Sequence, residues 1–228
     1  MLSIIIPVVD EAAVIIEALQ RLRRLRREGA EVIVVDGGSR DATVALARKL
    51  ADRVEVAPRG RAAQMNAGAA RARGDVLLFL HADTILPDTA GADVGAALAA
   101  GARWGRFDVR IDGAHPMLAV VAWSMNLRSR LTGIATGDQA MFARRDTFAA
   151  VGGFPDIALM EDIALSRTLK RQGRPACLRA RVITSGRRWR QRGVFRTVLL
   201  MWRLRLAYFL GADPADLAVR YGYRPQRR

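Results

Sequence analysis

A chain of 228 residues that is 51% hydrophobic is long enough for an α/β domain with a sizeable core and too apolar to be disordered. One cysteine excludes an internal disulfide, and with it any argument for an oxidising compartment. The formal charge is +15, from 37 basic and 22 acidic residues. Residues 179–228 hold 13 arginines against two acids, so the basicity is mostly C-terminal and suits an anionic membrane surface, nucleic acid or an anionic substrate.

Leu2–Ile6 reads as a short strand stopped at Pro7 and followed by Asp10-Glu11. Ile15, Ile16, Leu19, Leu22 and Leu25 recur at helical spacing, and Gly29 ends that helix. Glu31–Val35 is a second buried-type strand ending at Asp36, Gly37-Gly38-Ser39 is a tight turn, and Asp41 is an N-cap for a helix over Ala42–Leu50. Arg53–Val56 is a third strand. This β-α-β-α-β order implies a parallel sheet with right-handed crossovers.

A loop over 58–61 precedes a small-residue helix, Ala62–Arg73. Val76–Leu80 is a continuous apolar run, expected as a strand buried on both faces, with His81 and Asp83 just past its end. Thr89–Ala100 reads as a helix. In Arg106–Asp112 charged and apolar residues alternate, which predicts an antiparallel or edge strand with one wet face. Met117–Arg130 is expected to be helical, Gly137-Asp138-Gln139 leads a short strand over 140–143, and helices follow over Arg145–Val151 and Glu161–Gln172. Pro175–Val182 is a last strand and Ser185–Arg192 a basic loop. Val194–Leu210 is a hydrophobic helix broken by arginines, either packed on the core or lying in a membrane interface.

No secretory signal is recognisable, and no apolar run reaches the ~18 residues of a spanning helix, so a cytoplasmic protein is expected, with the inner membrane face as a partner surface. Three strands end in carboxylates: Asp10-Glu11, Asp36 and Asp83. Each alone suits a turn, but at one edge of a parallel sheet together they suit a ligand site. A divalent cation shared with a diphosphate fits such acids, and Arg59 and Arg61 beside them fit phosphate or a nucleobase.

The stretches Ile4-Ile5-Ile6-Pro7…Glu11, Val34–Thr43, Gly74–Asp83 and Glu161-Asp162 resemble family 2 glycosyltransferases of the GT-A fold over roughly residues 1–175. The run Arg59–Gly68 resembles a small bacterial subgroup with an Arg-Gly-Arg-Ala-x-Gln-Met-Asn motif. The resemblance implies one glycosyltransferase domain over 1–228. Residues 1–112 would form the nucleotide-sugar half, 113–182 the acceptor and catalytic half, and 183–228 a basic loop and C-terminal helix. Its fold would be a Rossmann-like, mostly parallel sheet flanked by helices, with a mixed antiparallel C-terminal part and a final amphipathic helix.

The implied activity is inverting transfer from a nucleotide-diphosphate sugar to an acceptor hydroxyl, including a lipid-linked one. The implied roles are Pro7, Glu11, Asp36, Gly60, Arg61, Asp83 and Arg188 on the nucleotide sugar, and Asp138, Gln139 and Trp189 on the acceptor side. Asp162 would be the base, beside Glu161. Mn²⁺ or Mg²⁺ would sit on Asp83, with His81 standing where the family's Asp-x-Asp motif has its first acid. The alternatives are a sugar-phosphate nucleotidyltransferase, whose Gly- and Lys-containing loop after the first strand is absent here, and a basic nucleic-acid or membrane binder. Nucleic acid is not the expected partner, because it leaves the strand-end acids unexplained.

Overall fold

The computed structural model describes residues 1–223; the last five residues of the 183–228 segment lie outside the described residues. Eight strands form one sheet. β1 (Leu2–Val8), β2 (Glu31–Asp36), β3 (Arg53–Val56) and β4 (Val76–Phe79) are parallel, with Ile5 opposite both Ile33 and Phe79. Their carboxyl ends therefore share one edge. β7 (Phe142–Arg144) adds antiparallel to β4, β6 (Trp104–Ile111) antiparallel to β7, and β8 (Ala176–Thr184) parallel to β6. A two-residue strand, β5 (Thr84–Ile85), closes the order against β8.

Alternation along β1 sorts the helices into two layers. Ile4 and Ile6 face α1 (Ile15–Arg21), α5 (Ala90–Ala99) and α6 (Met117–Thr132). Ile5 faces α4 (Arg61–Arg71), α7 (Arg145–Ala150) and α8 (Glu161–Leu169). A strand covered on both faces needs an unbroken apolar sequence, which is why β1, β2 and β4 read so clearly. α4 comes close because residue 68 is glycine: a Cβ there would lie 2.5 Å from an Ile5 methyl.

Several expectations are corrected. β6 is exposed only at Arg110 and is not an edge strand; Arg106 and Asp108 are buried in its middle. They are tolerated because Arg106 pairs with Asp108, Arg130 grips the same carboxylate through two 2.8 Å bonds, and Ser129 accepts from Arg106 Nε at 2.8 Å. The first helix divides at Leu22 into α1 and α2 (Arg23–Arg27), and α3 spans only Thr43–Ala47. The basic loop is largely helical, as α9 (Arg187–Arg192). After α10 (Val194–Phe209) comes an unforeseen helix, α11 (Pro214–Tyr221). Its signal was present in Asp213-Pro214: the Asp213 carboxylate accepts from Ala215 N–H at 2.9 Å, and Pro214 opens the helix. No described helix is long and apolar enough to cross a membrane.

Candidate functional site

The glycine-serine stretch after β2 knits two strand ends together. The Asp36 carboxylate accepts from Gly38 N–H at 2.9 Å and Ser39 N–H at 3.0 Å. Asp10, at a left-handed φ of 54°, accepts from Arg40 N–H at 2.7 Å, and Glu11 N–H donates to Thr43 Oγ1 at 2.8 Å. Gln64 completes the brace: its buried Nε2 donates to the Val8 carbonyl at 2.9 Å and the Val35 carbonyl at 2.8 Å. Asn66 exchanges two bonds with the Phe154 backbone, 2.8 and 3.0 Å, and so holds the loop that leads into α8. The Arg-Gly-Arg-Ala-x-Gln-Met-Asn motif is thus largely a positioning device, with Gly60 at φ 148° turning the chain into α4 and Met65 buried in the core.

Two cavities adjoin at this edge. The first, about 400 Å³, is polar and is lined by Pro7, Glu11, Arg59, Arg61, Asp83, Arg187, Arg188 and Arg192 among others. The second, about 530 Å³, is mostly apolar and holds Glu161 and Asp162. Arg61, His81, Asp138, Trp189 and Tyr221 belong to both walls. The expected residues Pro7, Glu11, Arg61, Asp83, Arg188, His81, Asp138, Trp189, Glu161 and Asp162 therefore converge. Asp36 and Gln139 line neither cavity. The first spends its carboxylate on its own turn; the second is wholly buried and caps Thr136 N–H at 3.2 Å. Gly60 acts through its backbone alone. Sequence reasoning missed Arg187, Arg192 and Tyr221, which reach the site on α9 and α11. α9 is tied there by Ser185 N–H to the Asp83 carbonyl, 3.2 Å, and α11 by Arg192 Nη1 to the Tyr221 carbonyl, 2.9 Å.

In the second cavity, next to the shared wall, Asp162 Oδ2 accepts from Gly137 N–H at 2.9 Å and Oδ1 from Ile163 N–H at 2.7 Å. Met160, at φ 69°, sets the entry to α8, and such strain in a non-glycine residue is characteristic of sites whose surroundings over-determine them. Burial first, then the neighbouring Asp162, push the Glu161 carboxyl up to about 7, while Arg61 pulls it down. Burial also raises Asp162, against the bonds from Gly137 and Ile163. Burial alone would raise Asp138 too, but the His81 hydrogen bond, then the charges of His81, Arg61 and Arg188, hold it below the usual range. Its side chain remains 43% exposed because it opens on the cavities. Burial would lower Arg61, but Glu161, Tyr221, Asp138 and Asp162 raise it. Arg61 opens α4, where a cation opposes the helix dipole, and this acidic wall compensates.

Glu11 is raised by burial, against Arg187, with Asp83 adding to the rise. Two carboxylates that repel across a polar cavity fit a cation. Among the described residues no three His, Cys, Asp or Glu groups are arranged to hold one unaided. The donor set thus suits a divalent ion that completes its shell on a bound diphosphate. The arginines Arg187 and Arg188, the latter over the Tyr221 ring at 4.0 Å, suit the remaining phosphate charge.

The model of the family described as "Glycosyl transferase family 2" matches residues 3–148. No curated protein matches the sequence significantly. Similar solved structures include S. aureus TarS 1–349 in complex with UDP-GlcNAc, with 20% identity, a TM-score of 0.65, and 81% of this chain covering 58% of that one. Mannosyltransferase PcManGT from Pyrobaculum calidifontis, in complex with GDP-Man and Mn²⁺, shares 23% identity with a TM-score of 0.66 over 97% of this chain and 69% of that one. Glucosyl-3-phosphoglycerate synthase from Mycobacterium tuberculosis, with Mn²⁺ and UDP, gives 20%, 0.60, 81% and 70%. At these identities the likeness establishes the fold, which is GT-A. The chain spans about 60% of the length of TarS 1–349.

Proposed function

The chain belongs to glycosyl transferase family 2, and on that premise we propose that it transfers a sugar, with inversion, from a nucleotide-diphosphate sugar to an acceptor hydroxyl. One observation supports this above the others: a polar, arginine-lined cavity and a cavity holding a carboxylate pair meet at a common wall. The nucleotide diphosphate lies in the first, against Pro7, Glu11, Asp83, Arg61 and Arg188. The acceptor hydroxyl comes from the second, to Asp162.

The acceptor oxygen attacks the anomeric carbon, its proton passes to Asp162, and the bond from that carbon to the diphosphate oxygen breaks, the nucleoside diphosphate leaving with the electron pair. One base without an enzyme nucleophile gives a single displacement, hence inversion. Arg61 and Arg188 stabilise the charge that develops on the leaving group. Glu161 sets the titration of the base. A divalent cation held by Asp83, with Glu11 nearby and His81 beside it, supplies electrophilic stabilisation of the diphosphate when bound.

The acceptor is lipid-linked and reaches the site from an anionic membrane surface. The support is α10, whose exposed side chains Phe195, Leu199, Trp202, Leu206 and Phe209 form one helical stripe, with the exposed Arg196 and Arg203 alongside. A binder of anionic polymers would have no use for the strand-edge acids.

The test is a nucleotide-release screen over UDP-, GDP- and dTDP-sugars, with and without Mn²⁺. Turnover that is lost in Asp83→Ala and Asp162→Asn, with unfolding curves unchanged, is expected. Full turnover in both variants overturns the assignment. Co-sedimentation with anionic but not zwitterionic vesicles tests the membrane face.

A further inference from the structure

One arginine of the polar cavity is held by a ring and not by an acid. Arg187 pairs with Glu11 at 3.9 Å, and Arg61 faces Glu161, Asp138 and Asp162. Arg188 has no ion pair and no side-chain hydrogen bond among the described residues; its guanidinium lies on the Tyr221 ring, 4.0 Å from the centroid. Burial works first against its charge; Tyr221 then supports it, and Arg61 and Arg192 oppose it. A long side chain with no directional partner has many rotamers, and ordering it when a ligand arrives costs affinity.

The ring itself is anchored. Tyr221 is the last residue of α11, and its carbonyl accepts from Arg192 Nη1 at 2.9 Å. Gly222 ends the helix at φ 92°, where a Cβ would lie 2.6 Å from Arg192 Nη2. One turn back, Leu217 and Ala218 pack with Leu159, Met160 and Ile163, which flank the carboxylate pair in sequence, and with Leu204 of α10. Burial first raises the Tyr221 hydroxyl above its ordinary value, against Arg188 and Arg61, so the ring is neutral. A neutral ring takes the flat face of a guanidinium and leaves its N–H edge free, whereas a carboxylate would occupy that edge and cancel the charge. Nη1 of Arg188 is enclosed, which leaves the Nε–Nη2 edge as the one that can meet a phosphate.

The geometry points to Tyr221 as a positioning residue: its ring holds Arg188 flat and charged in the polar cavity ahead of the diphosphate, which makes α11 part of the donor site. This rests on the donor side of the function proposed above and adds the element that pre-organises it.

The probes are UDP, GDP and dTDP, each with Mg²⁺, titrated into the full chain by calorimetry. Tyr221→Leu is expected to weaken nucleotide binding by about tenfold, the scale of a desolvated cation–ring contact, and Tyr221→Phe to restore it. In an Arg188→Met background, Tyr221→Leu should cost no more than about twofold, because the ring then has no cation to hold. The nucleotide-free protein is also treated with phenylglyoxal, and modification of Arg188 is read by peptide mass spectrometry. It should quicken in Tyr221→Leu and return to the original rate in Tyr221→Phe. Thermal unfolding checks every variant, and Tyr221→Met is a second ringless variant should Tyr221→Leu not fold. Equal loss in both backgrounds, a Tyr221→Phe that does not restore binding, or unchanged modification in Tyr221→Leu overturns the proposal. Nucleotide binding by the unaltered protein is read separately: its absence, with the change in modification intact, fails the donor assignment and leaves the Tyr221–Arg188 contact standing.

Discussion

His81 Nδ1 lies 3.5 Å from Asp138 Oδ1, joining the end of β4 to the turn before β7 across the wall of both cavities. His81, two residues before Asp83, faces an acid already. His81→Asp sets a third carboxylate beside Asp138 and Asp83. The donor KM should rise about tenfold, equivalent to ~1.4 kcal/mol, and added Mn²⁺ should not recover it. Steady-state kinetics across a Mn²⁺ titration checks this. A variant with improved KM would show that the His81–Asp138 pair is dispensable.

Gly137 is squeezed between the two halves of the site. Its N–H holds Asp162, and a Cβ on it would lie 2.7 Å from His81 Nε2. Gly137→Ala must move either the imidazole or the bond that orients the base. A displacement of this size at reacting groups costs roughly a hundredfold in rate. We expect kcat/KM to fall by about that factor with the fold intact, as judged by circular dichroism and thermal unfolding.

The Glu161–Asp162 pair makes stability and activity run in opposite directions with pH. With its carboxyl raised from 4.5 to about 7, Glu161 holds a proton in the folded state that the unfolded chain has released. Between those values the folded protein binds more protons, so stability falls as pH rises through the window. Glu161→Gln should narrow the difference in melting temperature between pH about 5 and pH about 8. The base must be ionised and burial raises Asp162, so kcat/KM should rise with pH through an apparent pKa above the ordinary carboxylate range that belongs to the pair. In Glu161→Gln that limb should move to lower pH, because Asp162 then keeps only Asp138 as a carboxylate neighbour.

The parallel half of the fold was legible because strands buried on both faces leave continuous apolar runs, as in Ile4-Ile5-Ile6 and Leu77-Leu78-Phe79. β6 misled because Arg106 and Asp108 mimic a wet face, while their partners Ser129 and Arg130 lie more than twenty residues away, beyond any local pattern. The same limit applies at the site. Asp83, Arg61 and Asp162 were visible as residue types at strand and helix ends. Asp36 looked like a ligand from its place after β2, but its direction is set by the Gly38 and Ser39 amides. Tyr221 and Arg192 were invisible because what brings α9 and α11 to the sheet edge is not local: Ser185 bonds to Asp83, Arg192 to the Tyr221 carbonyl, and Leu217 packs with Leu159 and Ile163.

Gln64 offers the sharpest separation of scaffold from chemistry. Its amide donates to the last carbonyl of β1, Val8, and the next-to-last of β2, Val35, from inside the protein, and a Cβ on Gly37 would lie 2.8 Å from its Oε1. Gln64→Leu keeps most of the volume but removes a donor from two buried carbonyls; Val8 keeps the Gly37 N–H, so the cost is nearer that of one unsatisfied group, about 1–3 kcal/mol. We expect unfolding in urea to show a loss of roughly 1–3 kcal/mol at an unchanged m-value. Because the same bonds fix the edge from which Glu11 and Arg61 enter the polar cavity, the donor KM should rise while the kcat of the remaining folded protein changes little. A large fall in kcat at constant KM would instead assign Gln64 to the chemical step.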